Sequence, residues 1–367
     1  MAKILYSLAQ DGRGHASRGY EIIRRLAADN HKIMVLTGGD TYEPLEKTLE
    51  KIKNVSMHRL PGFQSVYNKK GKINYLKTAS KNIPSIVNGD IIIKKLKQTI
   101  ERYDFDFAIS DFEPFLPRAA KKKKLNFITI DNQHRLLWEK IKAKQIPIKH
   151  WGSFMVTKGI ITSVHPLSKK CIITSVFQPE LRKKKYRKTE IIVTGPIIRK
   201  EIEELKHKVK KQDFVLVYVK PVLEKAIIPK LKKINQKFII YVSDPGKYKK
   251  TKNIKYKRHS HTGFANDMTA CKAVISSAGE QLMSEALFLG KPLFLMPEVG
   301  SFEQTFNGRN AKNALVGDYK DITKVKKEDI IKFLKRLDFF ENNIKKMKIK
   351  NHINKIMKII YAEMKRD

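Results

Sequence analysis

A histidine that follows the first strand-like run is the residue best suited to acid–base chemistry. His15 ends the stretch Gly12-Arg13-Gly14-His15, which is separated from the apolar run 3–8 by three residues. Glycines let a backbone approach a ligand closely, and the helix predicted after this loop would offer N–H groups that favour negative charge. The third glycine, Gly19, comes too late for the dinucleotide-binding pattern. We expect His15 to act as a general base; the alternative is an isolated loop histidine without a catalytic role.

A carboxylate at the end of another predicted strand is the expected partner of this histidine. Asp111 follows the run 105–110, and the carboxyl ends of parallel strands share one edge of a sheet. Such a carboxylate would orient the imidazole and stabilise its protonated form, which makes the ring a better base towards a hydroxyl. The other interpretation is an N-cap for the helix beginning near Glu113, and the two roles are compatible.

Three polar residues close the next predicted strand, 125–130, and add polar groups to the same rim. Asp131, Asn132 and His134 are therefore expected to contact a ligand on the acceptor side. A loop with an Asx-turn and no ligand is an equally weighted alternative.

The strongest signal lies between residues 276 and 310. A predicted strand runs into the small-residue turn 277–279 (Ser-Ala-Gly), after which a helix is predicted. A phosphate can bind the N–H groups in the first turn of such a helix. Glu285 follows about one and a half turns later, where its carboxylate could accept both hydroxyls of a ribose. Glu303 and Gln304 begin a later helix whose polar start could contact a sugar.

These residues are positioned by strands that alternate with helices, a pattern that predicts doubly wound parallel sheets. Strand candidates in the first half are 3–8, 33–37, 105–110, 125–130, 171–176 and 191–194. The pattern restarts with 214–219, 238–242, 273–276 and 292–296. The chain is therefore expected to be an α/β protein with two Rossmann-like domains.

The turn at Gly195 and Pro196, followed by a charged helical segment, is the best domain boundary. We predict an N-terminal domain over 1–195, a C-terminal domain over 196–345 and a terminal helix over 346–367. Apolar residues recur in that helix at spacings of three and four, namely Ile349, Ile353, Ile356, Met357 and Ile360. This stripe is expected to pack on or across the domains, with a membrane surface as the other option.

The charge of the chain is strongly positive. Its 76 Lys and Arg against 36 Asp and Glu give a formal net charge of +40, which draws polyanions such as nucleic acid, anionic lipid and nucleotides. Codon bias towards Lys, Ile and Asn explains the same excess without a function.

No segment approaches the about 20 apolar residues of a membrane-spanning helix, so we expect a cytoplasmic protein and leave membrane association open.

Two smaller features of the sequence are its cysteines and a group of large side chains among lysines. Cys171 and Cys271 lack metal-ligand spacing and are expected to be buried thiols, with a disulfide as the lesser option. Large side chains stand among lysines at Trp138, Trp151, Phe154 and Met155. They could form a surface for a lipid-linked acceptor at a membrane, or they are ordinary core residues.

Together these motifs resemble the GT-B glycosyltransferases, in which two Rossmann-like domains face a central cleft. Residues 277–307 carry the frame Ser-x-Gly, Ser-Glu, Gly-x-Pro and Glu-Gln-x-x-Asn. The stretch from Gly12 to Arg18 resembles the acceptor-side loop of these proteins, and 194–199 resembles their interdomain joint. The chain is similar in style to UDP-glycosyltransferases, to the lipid-linked N-acetylglucosaminyltransferase of peptidoglycan synthesis and to a group of uncharacterised archaeal and bacterial glycosyltransferases.

The resemblance implies an inverting, metal-independent hexosyltransferase that moves a sugar from a nucleoside diphosphate, expected to be UDP, to a hydroxyl acceptor. A lipid- or glycan-linked acceptor is one option, and no cofactor is expected. The resemblance also implies that 1–195 is the acceptor-side domain and that 196–345 is the nucleotide-sugar-binding domain. His15 would be the base and Asp111 its partner. The donor would contact Gly14, Arg199, Lys220, Ser277, Ala278, Gly279, Glu280, Glu285, Glu303 and Gln304.

The chain departs from the family pattern at two of these positions. Where many relatives carry a glycine-rich turn, this chain has Val219-Lys220-Pro221, so Lys220 is expected to take over a phosphate contact. Glu280 places a carboxylate near the proposed diphosphate, which it would repel unless it faces away.

Two other functions remain as alternatives. The first is a nucleotide-sugar hydrolase of the same fold, similar to the pseudaminic-acid pathway enzyme, in which water replaces the acceptor. The second is a nucleic-acid-binding protein, favoured by the basic runs 121–124 and 182–188. Since no nucleic-acid-binding signature accompanies these runs, we do not expect nucleic acid to be the partner.

Overall fold

The computed structural model describes residues 1–68, 73–141, 146, 148–164, 168–182 and 189–365. The chain divides into two compact units. The first unit comprises Met1–Val66, Asn74–Ile197 and Asn351–Asp367, and the second comprises Tyr67–Ile73 and Ile198–Lys350. The change from the first to the second unit at Ile197 follows directly on the Gly195-Pro196 turn. Most of the basic run 182–188 lies outside the described residues.

In the described part of the first unit, seven parallel strands form one sheet. The strands are β1 (Lys3–Leu8), β2 (Lys32–Thr37), β3 (Val55–Arg59), β4 (Phe107–Asp111), β5 (Phe127–Asp131), β6 (Lys170–Thr174) and β7 (Glu190–Thr194). The helices are α1 (Arg13–Ala28), α2 (Gly39–Leu49), α3 (Tyr75–Val87), α4 (Gly89–Tyr103), α5 (Leu116–Lys122), α6 (Arg135–Trp138) and α7 (Trp151–Val164). The order across the sheet is β3-β2-β1-β4-β5-β6-β7.

The second unit repeats this plan with six parallel strands among its described residues. The strands are β8 (Val215–Tyr218), β9 (Phe238–Val242), β10 (Ile254–Arg258), β11 (Ala273–Ser276), β12 (Leu293–Leu295) and β13 (Gly317–Tyr319). The helices are α8 (Lys200–Leu205), α9 (Pro221–Leu231), α10 (His261–Ala270), α11 (Glu280–Phe288), α12 (Phe302–Asn313), α13 (Lys327–Leu334) and α14 (Leu337–Met347). The order across this sheet is β10-β9-β8-β11-β12-β13.

The prediction of doubly wound parallel sheets is confirmed, and every strand candidate in the sequence corresponds to a strand. Three strands were missed, β3, β10 and β13, and each of them lies at an edge of its sheet. Central strands covered on both faces read as continuous apolar runs, whereas edge strands carry polar residues that weaken this signal. The sequences VSMHR and IKYKR of β3 and β10 show this directly.

The last helix, α15 (Ile353–Met364), belongs to the first unit. Ile353, Ile356, Met357 and Ile360 are buried in the same apolar cluster as the strands β1 and β4. The predicted apolar stripe therefore lies in a core and not on a membrane. Ile349 precedes the helix and is half-buried.

Two further predictions from the sequence are tested by this fold. Both cysteines are buried free thiols, and burial raises the pKa of Cys171 and of Cys271. The disulfide alternative is therefore wrong. Within the described ranges, no helix is long and apolar enough to span a bilayer.

Candidate active site

The order of the first sheet reverses between β1 and β4, which is where open parallel sheets bind their ligands. Leu8, the last residue of β1, pairs in register with Asp111, the last residue of β4. Gly12 turns the chain from β1 into α1 with a φ of 93°, a conformation that side chains rarely allow. As a result, the first turn of α1, which holds Gly14 and His15, begins beside Asp111.

The structure brings the predicted base and its partner together. His15 Nδ1 lies 2.7 Å from Asp111 Oδ1, Asp111 is fully buried, and His15 keeps 8 % of its surface exposed. Because an ionised carboxylate can only accept hydrogen bonds, Nδ1 carries the proton in this pair. When the ring is neutral, its lone pair then lies on Nε2, on the opposite side of the ring.

Arg18 also binds the carboxylate of this pair, although no role was predicted for it from the sequence. It is buried one helical turn after His15, and its Nε donates to Asp111 Oδ2 at 2.9 Å. Burial alone would raise the pKa of Asp111, but the charges and hydrogen bonds of Arg18 and His15 outweigh burial and hold the pKa below its ordinary value. The carboxylate is therefore ionised. The i, i+3 spacing of Arg18 from His15 was the available signal.

Gln133 approaches the other ring nitrogen of His15. Its Nε2 lies 3.5 Å from His15 Nε2, and its Oε1 accepts the backbone N–H of Asn132 at 3.3 Å. This places a side-chain amide beside the atom that a general base would use. No contact was predicted for Gln133 from the sequence, although its neighbours Asp131, Asn132 and His134 were predicted to contact a ligand.

The three residues expected at the acceptor rim, Asp131, Asn132 and His134, are buried. Asp131 Oδ1 accepts the backbone N–H of His134 at 2.8 Å, and Asn132 Nδ2 donates to the carbonyl oxygen of Thr174 at 2.8 Å. The Asx-turn alternative describes this geometry well. The structure therefore places the three side chains beneath the rim, and their contact with an acceptor stays a prediction.

Phe112 combines a strained backbone with a position beside the candidate base. Its φ is 55°, and its ring is stacked on that of His15 with centroids 6.4 Å apart. The left-handed conformation costs a bulky residue roughly 1–2 kcal/mol. In the described chain, the other non-glycine residues with positive φ directly follow helices: Asn30, Asp104, Lys124, Leu315 and Lys348. Phe112 follows a strand, so its strain is local to the candidate site.

An Asp-x-Asp pattern at Asp104 and Asp106 lies away from this site. Both residues precede β4, and Asp106 Oδ2 accepts the backbone N–H of Lys3 at 2.6 Å. They therefore lie at the amino-terminal edge of the sheet, opposite Asp111. The described residues contain no group of three His, Cys, Asp or Glu side chains that could hold a metal ion.

In the second unit, the strand order reverses between β8 and β11. Helix α9 begins at Pro221 after β8, and helix α11 begins at Glu280 after β11. In the described structure, neither N-cap residue, Lys220 or Gly279, makes a side-chain cap hydrogen bond. The partial positive charge of both helix N-termini lies at the switch point, which suits an anion. The first turn of α9 contributes few N–H groups, because Pro221 has none and Leu223 donates to the carbonyl oxygen of Lys220 at 2.8 Å, so such donors come chiefly from α11.

The turn 277–279 is held from α12. Asn307 is buried and its Nδ2 donates to the carbonyl oxygen of Ala278 at 3.0 Å. Gly279 donates its N–H to the carbonyl oxygen of Ser277 at 2.9 Å within the turn, and the contact of Gly279 with a diphosphate stays a prediction. The first-turn donors begin at Glu280. The Glu280 carboxylate is buried against α11, where its Oε1 accepts the hydroxyl of Ser284 at 3.4 Å.

Gly279 has open space above it. Its φ of −73° and ψ of 132° suit any residue, and a Cβ built there would meet no heavy atom of the described chain within 4 Å. Neither backbone conformation nor packing therefore requires glycine at this position. The space over the start of α11 is therefore open to a ligand.

Arg199 and Glu285, two predicted donor contacts, are paired with each other. Arg199 Nε lies 2.8 Å from Glu285 Oε1, and Arg199 Nη2 lies 2.7 Å from Glu285 Oε2. Gln281 Nε2 adds a hydrogen bond to Oε1 at 2.9 Å. Both charged residues are buried, so their first role is a bidentate ion pair within the second unit. Contact of Glu285 with a ribose stays a prediction.

Lys220 lies in a charged cluster that the sequence did not reveal. Its Nζ donates to Tyr67 Oη at 2.8 Å and lies 3.3 Å from Glu298 Oε2. Lys220 follows β8 and Glu298 follows β12, so the pair spans the end of β11, which lies between these strands. The buried Glu298 carboxylate receives no hydrogen bond from the described residues, whereas 32 % of the Lys220 side chain is exposed.

Gln304 supports the same cluster. Its Oε1 accepts the backbone N–H of Glu298 at 2.9 Å, and Ser301 Oγ caps α12 by accepting the Gln304 N–H at 3.4 Å. Glu303 lies in the first turn of α12 and is half-buried. Glu303 and Gln304 thus lie at the start of α12, and their contact with a donor sugar stays a prediction.

Comparison with known proteins identifies the fold and the family. The sequence profile described as glycosyl transferase family 1 matches residues 2–338. An uncharacterised glycosyltransferase of Methanosarcina mazei is 27% identical over 326 residues, which cover 83% of this chain and 82% of that protein. One of Methanosarcina acetivorans is 24% identical over 331 residues, with the same coverage of 83% and 82%.

Solved structures of glycosyltransferases share the fold at low sequence identity. UGT2 of Phytolacca americana, solved with UDP-2-fluoro-glucose and pterostilbene, has a TM-score of 0.69 and 11% identity, covering 100% of both chains. CalG4, the calicheamicin glycosyltransferase, has a TM-score of 0.67 and 14% identity, covering 100% of this chain and 99% of that one. Because the profile match spans most of its length, the chain belongs to glycosyl transferase family 1 and is a glycosyltransferase of the GT-B fold.

Proposed function

We propose that this glycosyltransferase moves a hexose from a nucleoside-diphosphate donor to a hydroxyl acceptor, with inversion at the anomeric carbon and without a metal ion. The observation that carries the proposal is the His15–Asp111 pair at the switch point of the first sheet. A neutral imidazole fixed by a buried carboxylate is a suitable base for a hydroxyl.

The acceptor side follows from the tautomer of His15. Its Nδ1–H donates to Asp111, so Nε2 takes the proton of the acceptor hydroxyl as the oxygen attacks the anomeric carbon. The new C–O bond forms while the bond from that carbon to the diphosphate oxygen breaks, and the bonding electrons leave with the diphosphate. A single displacement of this kind inverts the anomeric centre.

The donor side is assigned to the switch point of the second sheet. Charge develops on the departing diphosphate, and the N-termini of α9 and α11 and the Lys220 ammonium would stabilise this charge in place of a metal. UDP is the first candidate nucleotide, supported by the structural similarity to UGT2, which was solved with a UDP-sugar. The acceptor is proposed to be a hydroxyl compound, with a lipid- or glycan-linked one as the leading class.

Thermal shift with a panel of UDP-, dTDP-, GDP- and CMP-sugars tests the donor, since a ligand that binds the folded state raises the melting temperature with its saturation. We expect a UDP-sugar to give the largest shift. The nucleotide released on transfer then measures turnover. We expect turnover to be unaffected by EDTA, and NMR of the product to show an inverted anomeric centre.

Replacing the base separates binding from chemistry. His15→Ala should keep the donor shift and lower turnover by about 10²–10⁴-fold, whereas His58→Ala on the exposed edge strand β3 should change neither. Wild-type turnover in His15→Ala would contradict the assigned base. Retention at the anomeric carbon, or turnover that EDTA abolishes, would refute those parts of the proposal. Sugar release at the full rate without an acceptor would favour a hydrolase.

A further inference from the structure

Exposed apolar side chains are concentrated in two stretches of the first unit. Within the described chain, fourteen large apolar side chains are exposed, and ten of them lie between residues 76 and 91 or 148 and 160. We call these ten the apolar surface: Leu76, Ile83, Ile86, Val87, Ile91, Ile148, Trp151, Met155, Val156 and Ile160. Single exposed apolar residues are ordinary, but a concentration of them marks an interaction site.

Helix α3 buries a polar face and exposes an apolar face, the reverse of a helix that packs on a core. Its buried side carries polar residues: Asn82 Nδ2 donates to the carbonyl oxygen of Gln64 at 2.9 Å, and Ser85 Oγ donates to that of Gly62 at 3.1 Å. Its outward side exposes 62 % of Ile86 and 72 % of Val87. Since burying such a side chain is worth about 1.5–3 kcal/mol, the outward face has the composition of a surface that a partner covers.

Helix α7 adds a second exposed apolar face. Trp151 and Met155 are exposed, whereas Phe154 is buried. Trp138, which the sequence grouped with these residues, is also buried. Trp151 and Met155 are thus exposed, as the predicted surface requires, whereas Trp138 and Phe154 are core residues, as the alternative held.

The charge around both faces identifies the kind of partner. Residues 51–89 contain eight Lys or Arg and no Asp or Glu, and residues 140–179 contain seven and again none. On α3 itself, Lys77 and Lys81 are exposed among the apolar residues. Apolar side chains interspersed with lysines, together with a tryptophan, are the composition of segments that lie in the interface of an anionic bilayer.

Both helices are connected to the edge of the sheet that holds the candidate base. Helix α3 is tied to residues 62–64, which follow the carboxyl end of β3, and α7 follows α6 beyond the carboxyl end of β5. Four strand spacings separate β3 from β5, or about 19 Å. His15 and Asp111 follow β1 and end β4, which lie between them in the sheet.

We propose that the apolar surface docks the first unit on an anionic lipid bilayer, so that the edge holding His15 faces hydroxyl acceptors in the membrane. The identification of a membrane-held acceptor rests on the proposed function. The docking itself does not, because it can be measured without donor or acceptor.

Sedimentation of the full chain with vesicles tests the docking. Vesicles of phosphatidylcholine containing about one third phosphatidylglycerol should carry the protein into the pellet, and vesicles of phosphatidylcholine alone should carry about tenfold less. Brominated acyl chains should quench Trp151 and leave the fluorescence of buried Trp138. This measurement needs no variant, so it remains informative if a variant fails to fold.

Matched variants distinguish vesicle binding through the apolar surface from nonspecific binding to lipid. Ile86→Ser with Val87→Ser should weaken vesicle binding by about tenfold or more, whereas Phe339→Ser, which removes an apolar side chain 45 % exposed on α14, should change it less than twofold. Lys77→Glu with Lys81→Glu should also weaken binding. The same change of charge at the exposed Lys355 and Lys358 of α15 is the control.

Three results would overturn the proposal. These are no binding to anionic vesicles at about 0.1 M salt, binding that the α3 variants leave unchanged, and a dimer in light scattering that Ile86→Ser with Val87→Ser converts to a monomer. The last would show that a second copy covers the surface. Vesicle binding without any sugar transfer would support the docking while contradicting the proposed function.

Discussion

At the scale of single residues, each unit contains a buried carboxylate that is paired with an arginine. Arg18 binds both oxygens of Asp111, and Arg199 binds both oxygens of Glu285. Bidentate pairs of this kind fix a carboxylate in position. In the first unit this fixes the partner of His15, and in the second it ties the start of α8 to α11.

Breaking the pair in the second unit should be costly. Glu285→Ala leaves Arg199 as a buried cation without its carboxylate, and we expect a loss of about 3–5 kcal/mol in the free energy of unfolding. The double variant Arg199→Met, Glu285→Leu should lose less than the single one. Glu204→Ala, which breaks the exposed pair of Glu204 with Lys200, should cost about 1 kcal/mol or less. Urea unfolding measures all three, and equal losses for the two single variants would contradict a tightly coupled pair.

Glu113 should make stability depend on pH in the opposite direction to an ordinary carboxylate. Burial, opposed by the backbone N–H groups of Leu116 and Phe115, raises its pKa to about 7 from 4.5. Between these values the folded state binds the proton and the unfolded state does not, so stability falls as pH rises from 4.5 to about 7 and is constant above. The fall is about 3 kcal/mol.

Urea unfolding at several pH values measures this dependence. Glu113→Gln should remove the fall between pH 4.5 and about 7, and Glu50→Gln, at an exposed position, should preserve it. Asp111, whose pKa is lowered, contributes the opposite slope: its stabilisation is complete above 3.8 and is lost as pH falls below that value. A flat wild-type profile between pH 4.5 and 7 would show that Glu113 titrates normally.

At the scale of elements, the recurring device is a helix that begins where a strand ends at a switch point. Helices α1, α9 and α11 all begin this way. In α1 the first turn carries a catalytic candidate, whereas α11 presents backbone N–H groups in its first turn and α9, which begins with Pro221, contributes mainly its dipole. Because the partial charge at a helix N-terminus does not depend on side chains, both N-termini at this switch point suit an anion.

Gly279→Ala tests whether a ligand lies over the start of α11. The added Cβ meets no described atom within 4 Å and the backbone is compatible with alanine, so the melting temperature without ligand should be unchanged or slightly raised. The shift caused by the best nucleotide-sugar should shrink, with its Kd raised about tenfold or more. Gly152→Ala is the control, since its Cβ also meets no described atom within 4 Å. An undiminished shift would place the ligand elsewhere.

At the scale of the whole molecule, the chain returns to its first unit after completing the second. Helix α15 fills the core on the α1 side of the first sheet with Ile356 and Ile360, both fully buried. The backbone N–H of His352 donates to the carbonyl oxygen of Pro196 at 2.9 Å. The first unit therefore cannot complete its core until the last residues of the chain are present.

This completion of the core predicts which unit a change in α15 affects. Ile356→Ala and Ile360→Ala should each cost about 2–5 kcal/mol, and hydrogen exchange should accelerate in β1 and β4 but not in β8 and β11. Lys358→Ala, at an exposed position of the same helix, should change exchange in neither unit. Faster exchange in β8 after an α15 substitution would contradict the assignment of α15 to the first unit.

The sequence by itself determined the central strands, the two parallel sheets and the turns after them. Central strands are apolar on both faces, and Gly12 and the turn 277–279 mark the strand-to-helix connections locally. It also selected His15 and Asp111, because both follow strands whose carboxyl ends must share an edge. Three of the four edge strands, β3, β10 and β13, were missed because their polar residues hide the pattern.

Only the tertiary structure decided which charged side chains pair. Arg18 with Asp111, Arg199 with Glu285 and Lys220 with Glu298 are separated by 93, 86 and 78 residues of sequence. Such contacts depend on strand order and on the direction of each side chain, which local periodicity does not encode. The same limit explains why Asp131 and His134 were expected at a rim although they are buried. It also explains why the exposure of the apolar face of α3 was not predicted. In both cases burial depends on how the segment packs in the folded unit.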